Sequence, residues 1–134
     1  GLYEIYANAC AARGRSAARP AAFGPMALFV SRDPETTWQR IGPHVLHETN
    51  CYARWYDEGR VRGPYAHYES IESLRATGLY QVLTPDECIA LARGLGPGGQ
   101  LFVHPLVGGL DPVVGWETLH LLRDEVLPQL GSAS

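Results

Sequence analysis

The chain has 134 residues, enough for one domain with a sizeable core, and its 46 % hydrophobic and 19 % charged content is globular, not disordered. A net charge of −3 and a pI near 5.9 give no electrostatic reason to expect nucleic acid or an anionic membrane as partner. The basic residues are eleven arginines with no lysine, which excludes a Schiff base formed by a lysine of this chain.

Residues 1–13 place Leu2, Ile5, Tyr6, Ala9 and Ala12 on one face of a leading helix, with Gly14 as its stop. The helical pattern begins at once, without an initiator Met or a signal peptide, as expected of a chain that starts in mid-domain. Residues 14–25 are a turn-rich linker. The first strand–helix unit spans 26–58. Met26 to Ser31 is a continuous apolar run, as in a strand buried on both faces. Asp33-Pro34 then opens a long helix whose apolar face is Trp38, Ile41, Val45, Tyr52 and Trp55, with an interruption expected at Gly42-Pro43.

Residues 59–79 form a long loop suited to a lid, with a short helix near Ser70 to Thr77. The second unit spans 80–95: a strand from Tyr80 to Leu83, then a helix started by Thr84-Pro85-Asp86-Glu87. Gly96-Pro97-Gly98-Gly99 ends it. The third unit spans 101–130, with Leu101 to Val103 as strand and a helix opened by Asp111-Pro112. Its apolar stripe is Trp116, Leu119, Leu122 and Val126, and Pro128 closes it.

Three strand–helix units after one helix predict an α/β fold with parallel strands and right-handed crossovers. Three strands cannot close a barrel, and a free three-stranded sheet leaves apolar edges open. Strands from elsewhere, or self-association, are therefore expected. Cys10, Cys51 and Cys88 are far apart, with no CxxC spacing, so neither a zinc site nor a redox pair is suggested and a reducing cytoplasm is the simplest compartment. There is no apolar stretch long enough for a membrane span, and no P-loop or GxSxG.

The blocks ALFVSRDPETTWQRIGPHVLHETNCYARW (27–55) and LRATGLYQVLTPDECIALARGLGPGGQLFVHPLVGGLDPVVGWETLHLLRDEVLPQL (74–130) resemble the C-terminal portion of luciferase-like flavin-dependent monooxygenases and oxidoreductases. The leading YEIYANACAARGR resembles the helix and turn before it. The resemblance implies a (β/α)8 TIM-type barrel, of which residues 1–134 would form a single partial domain. It also implies reduced FMN or a deazaflavin as coenzyme of the parent enzyme, and a small organic substrate. The family's N-terminal half, with much of the flavin surface, is not in this sequence. The chain alone is therefore expected to be inactive and to bind no coenzyme by itself. Homo-oligomerisation or pairing with that half is the expected association. The alternative is a non-catalytic α/β module that associates in the same way.

Chemistry in such a barrel sits at the carboxyl ends of the strands. His104 follows the third strand and is the candidate catalytic residue, able to hydrogen-bond substrate or flavin or to move a proton; the competing role is a loop anchor. Gly108 and Gly109 are candidates to let backbone amides approach a coenzyme phosphate, against a plain tight turn. Tyr65, His67 and Tyr68 are candidates for a substrate pocket or lid. His44, His47 and Glu48 lack a third ligand and match a polar helix side with a His–Glu hydrogen bond better than a metal site, so no metal is expected. Tyr52 and Trp55 match core packing, and Arg32 and Arg54 match surface solvation better than anion binding.

Overall fold

Two of the three apolar runs pair as strands in the computed structural model, which describes residues 1–18, 21–96 and 98–131. Arg19 and Pro20 of the expected linker, and Pro97 of the turn after the second unit, lie outside the described residues. Strand β1 (Ala27–Val30) is buried at every position, and β2 (Tyr80–Leu83) runs parallel to it from Ala27↔Tyr80 to Val30↔Leu83.

The third run does not become a full strand. It makes isolated parallel bridges, Phe23↔Gln100 and Leu28↔Val103, on the side of β1 away from β2. The amides of β1 explain why. Ala27 and Ser31 donate to Leu79 and Leu83 on one side, while Leu28 donates to Phe102 on the other at 2.8 Å. At Val30 the next rung on that side is filled by a side chain, the hydroxyl of Thr118. The chain has by then turned away through His104 and Pro105.

Each long helix starts where the sequence places it. Helix α2 (Pro34–Gly59) is capped by Asp33, which accepts from the Thr36 amide at 3.1 Å. A short α3 (Ile71–Arg75) follows, capped by Ser70. Helix α4 (Pro85–Leu95) has a reciprocal capping box between Thr84 and Glu87. Helix α5 (Pro112–Leu121) is capped by Asp111. Gly42-Pro43 does not interrupt α2 as expected; Gly42 lies where an added Cβ would meet the Ile71 side chain at 2.9 Å, so α3 packs closely there.

The helices cover both faces of the sheet. Ala27, Phe29, Tyr80 and Val82 pack on Trp38, Ile41 and Val45 of α2 and on Val107, Leu110 and Val114. Leu28 and Val30 pack on Cys88 and Ile89 of α4 and on Val126. Successive barrel strands would be neighbours with helices on one face only. Among the described residues the third segment lies across β1 from β2 and helices lie on both faces, a mixed α/β arrangement with two parallel strands.

Other expectations need correction. Helix α1 (Leu2–Ala11) has no buried residue, and Leu2 is 88 % exposed, so its apolar face is uncovered. Tyr52 and Trp55 are not core residues; Trp55 is 54 % exposed. A helix of 26 residues is about 39 Å long and a strand of 4 about 13 Å, so α2 outruns the sheet before it reaches them. Trp116 is also exposed; α5 buries Val114, Gly115 and Thr118, while Val126 of the expected stripe is buried and Leu122 packs beside it. Pro128 does not close that helix. The chain passes through a π-helical turn (Leu122–Val126) into α6 (Leu127–Leu130). Pro128 has no amide for the carbonyl one turn back, and the wider turn takes up that loss. Among the described residues no helix is long and apolar enough to cross a membrane.

Candidate functional site

Glu48, His104 and Gly108 meet where the chain leaving Val103 folds back over α2. Glu48 lies seven residues after Ile41 and three after Val45, so the helical repeat turns its carboxylate toward the buried stripe. Its Oε2 accepts from the Gly108 amide at 2.9 Å. One turn earlier, His44 Nδ1 lies 3.1 Å from the Gly108 carbonyl oxygen. The two side chains thus hold the Gly108 backbone at its N–H and at its C=O, rather than bonding to each other as the His–Glu pairing expected. His47 points elsewhere and meets Cys51, with Nε2 and Sγ 3.6 Å apart.

The Gly108 backbone has to be glycine. Its φ is +53°, and a Cβ there would sit 2.3 Å from the His44 carbonyl oxygen. The phosphate role expected of Gly108 does not fit this geometry. The Gly108 amide is committed to Glu48, and the start of α5 is occupied by Asp111, which accepts from the Val113 amide at 2.9 Å. The Asp111 carboxylate at that helix start also repels an anion. Gly109, at φ +75°, has open space around it and no such close approach.

His104 stands at the end of the third segment, 49 % exposed at its side chain, with Nδ1 3.6 Å from Glu48 Oε1. That oxygen is itself buried and has no hydrogen-bond partner. Two phenols crowd the same carboxylate. Burial, with Glu48 adding to it, pushes Tyr80 well above the ordinary phenol range, against the Thr49 hydroxyl that donates to it at 3.2 Å. Burial and then the Glu48 charge raise Tyr65 as well. Four ionisable side chains from α2, β2, the 59–79 loop and the third segment therefore converge, and the arrangement can hold or move a proton. Glu48 and Tyr80 were missed as members of this set. The signal for Glu48 was a carboxylate placed on an apolar helical stripe.

The loop residues divide. Tyr65 stacks on Tyr52 with ring centroids 4.6 Å apart and reaches the phenol cluster. Tyr68 is held through its backbone: Asn50 donates to its carbonyl and accepts from its amide, each at 2.9 Å. His67 faces a separate groove of 730 Å³ with His47, Cys51 and Arg54. So Tyr65 joins His104, whereas His67 does not, and Asn50 is the unforeseen residue that fixes the loop.

A second cleft, of 410 Å³, opens at the carboxyl end of β1 between Ser31, Thr36, Arg40, Glu117 and His120. Its arginines are engaged: Arg40 donates to Glu117 and Arg32 to Glu125. Arg54 lies 3.8 Å from Glu58. These are exposed pairs of small energetic weight.

No family model matches the chain, and no curated protein or solved structure matches it either.

Proposed function

We propose that the chain is the C-terminal portion of a luciferase-like flavin-dependent oxidoreductase or monooxygenase, and that it forms the proton-handling wall of a small-molecule substrate site. The observation that carries this reading is His104, a half-exposed imidazole at a strand exit backed by the buried Glu48 carboxylate. The order of the blocks in 27–55 and 74–130 supports the family. The coenzyme, FMN or a deazaflavin, supplies the redox chemistry in this reading, and the Gly108 amide, bonded to Glu48, takes no part in holding its phosphate. A complete barrel would need further strands at the free edge of β2 and the release of one helical layer from the sheet.

The test is isolation of the natural polypeptide that carries this sequence. A mass well above 14.7 kDa with flavin- or deazaflavin-dependent turnover supports the reading. A polypeptide of 14.7 kDa that binds neither coenzyme sinks it.

A second reading, a non-catalytic module that pairs with itself or with a separate N-terminal half, is favoured by the uncovered apolar face of α1 and by β2, which among the described residues pairs with β1 alone. A stably folded monomer in sedimentation would contradict it.

A further inference from the structure

The unpartnered Oε1 of Glu48 is an anomaly in a fold that satisfies its other buried side-chain polar atoms among the described residues. Its carboxylate is held in place, with the Tyr80 phenol crowding it as well. Oε2 is tied to the Gly108 amide, and Gly108 is in turn wedged against the His44 backbone, with His44 Nδ1 on its carbonyl. The fixed oxygen faces His104 Nδ1 at 3.6 Å, slightly beyond hydrogen-bond length. The His104 ring is the exposed and adjustable member of the pair, and a small rotation closes the gap.

A neutral imidazole carries its proton on one nitrogen and a lone pair on the other. A lone pair on Nδ1 would face the carboxylate charge, whereas an Nδ1–H would satisfy it. We propose that Glu48 is the positioning residue of His104: it holds the proton on Nδ1 and leaves Nε2 as the acceptor for a hydroxyl or N–H of the bound small molecule. The substrate class is thereby an alcohol, enol or amine, which presents a donor to the neutral ring. This assignment of substrate rests on the proposed substrate site at the strand exit; the tautomer does not.

The tautomer is read directly by long-range proton–nitrogen NMR of histidine-labelled protein, at a pH where the ring is neutral. The wild-type chain is expected to show His104 protonated at Nδ1. In Glu48→Gln the amide oxygen takes the Gly108 bond and the amide group faces His104 as a donor, so the ring is expected to invert to Nε2–H. A wild-type His104 already in the Nε2–H form, or a Glu48→Gln ring that keeps the wild-type tautomer, overturns the proposal. Should the variant fail to fold, the wild-type spectrum decides alone. Because no coenzyme is needed, an Nδ1–H ring in a chain whose natural polypeptide proves not to be a flavin enzyme would sink the family reading and leave the positioning role standing.

Discussion

The hydroxyl of Thr118 stands in for a strand at Val30. It accepts from the Val30 amide at 3.3 Å and donates to the Val30 carbonyl at 3.1 Å, 88 residues away in sequence. Both partners are buried, so neither backbone group can turn to water. Thr118→Val keeps the shape and removes both bonds. The expected cost is about 1–3 kcal/mol, the usual consequence of stranding buried polar groups. Thr118→Ser should recover most of it. Chemical denaturation of the three proteins measures the difference, and equal midpoints for Val and Thr would refute the substitution of side chain for strand.

Gly108→Ala and Gly109→Ala separate close approach from backbone strain. Both residues have positive φ, but only at Gly108 does an added Cβ collide, at 2.3 Å from the His44 carbonyl oxygen. Gly109→Ala should cost about 1 kcal/mol for the left-handed conformation alone. Gly108→Ala should cost more than about 2 kcal/mol, because a packed backbone must also move. The same variant should withdraw the Gly108 amide from Glu48, and the change in its amide chemical shift reports that directly.

Acid should unfold the chain by loosening its helix starts. The Asp33 carboxyl is held below its ordinary value of 3.8 by the Thr36 hydroxyl and amide. Glu35 is lowered from 4.5 by Arg75, and Glu87 from 4.5 by the Thr84 amide and then its hydroxyl. A carboxyl that is more acidic when folded adds stability above its unfolded value. That contribution is lost as pH falls through the folded value. Tm should therefore be level down to the ordinary carboxyl range and fall below it. Asp33→Asn still caps α2 without a charge and should make the fall shallower. An identical slope in wild type and variant would exclude Asp33 from the acid transition.

Asn50 binds Tyr68 as a second backbone would, and its loss should free the loop without unfolding the sheet. Asn50→Ala removes two hydrogen bonds, about 1–2 kcal/mol of local stability. Trypsin should then cut faster after Arg60 and Arg62, while circular dichroism changes little. Unchanged cleavage would mean that the Tyr52–Tyr65 stack holds the loop by itself.

Local features were the most legible in the sequence. Asp33-Pro34, Thr84-Pro85 and Asp111-Pro112 announce three helix starts because capping needs only a side-chain acceptor and an unneeded amide, both set within four residues. Tyr80 to Leu83 and Ala27 to Val30 were recognisable as strands for the same reason. What was not legible depends on distant partners. Leu101 to Val103 has the composition of a strand, yet Thr118 takes the place of its next rung. Trp55 and Trp116 repeat with the apolar stripe, but the sheet is too short to meet one, and near the other α5 buries Val114, Gly115 and Thr118. Of the residues gathered around Glu48, the sequence singles out His104 and Tyr65, each from its neighbourhood in the chain. Glu48 was weighed as a metal ligand, and its real partner, the Gly108 amide, lies 60 residues on.

The length of α2 divides the molecule into two tiers of opening. Beyond Thr49 the helix buries Ala53 alone and otherwise leans on the ring stack of Tyr52, Tyr56 and Tyr65. A helix end supported by so little apolar contact exchanges its amide hydrogens through local fraying, whereas the turns carrying Trp38, Ile41 and Val45 open only with the sheet. Glu48 sits at the boundary between the tiers. The wall that holds His104 is therefore anchored on the slow side of the helix, and the loop that brings Tyr65 to it is hinged on the fast side.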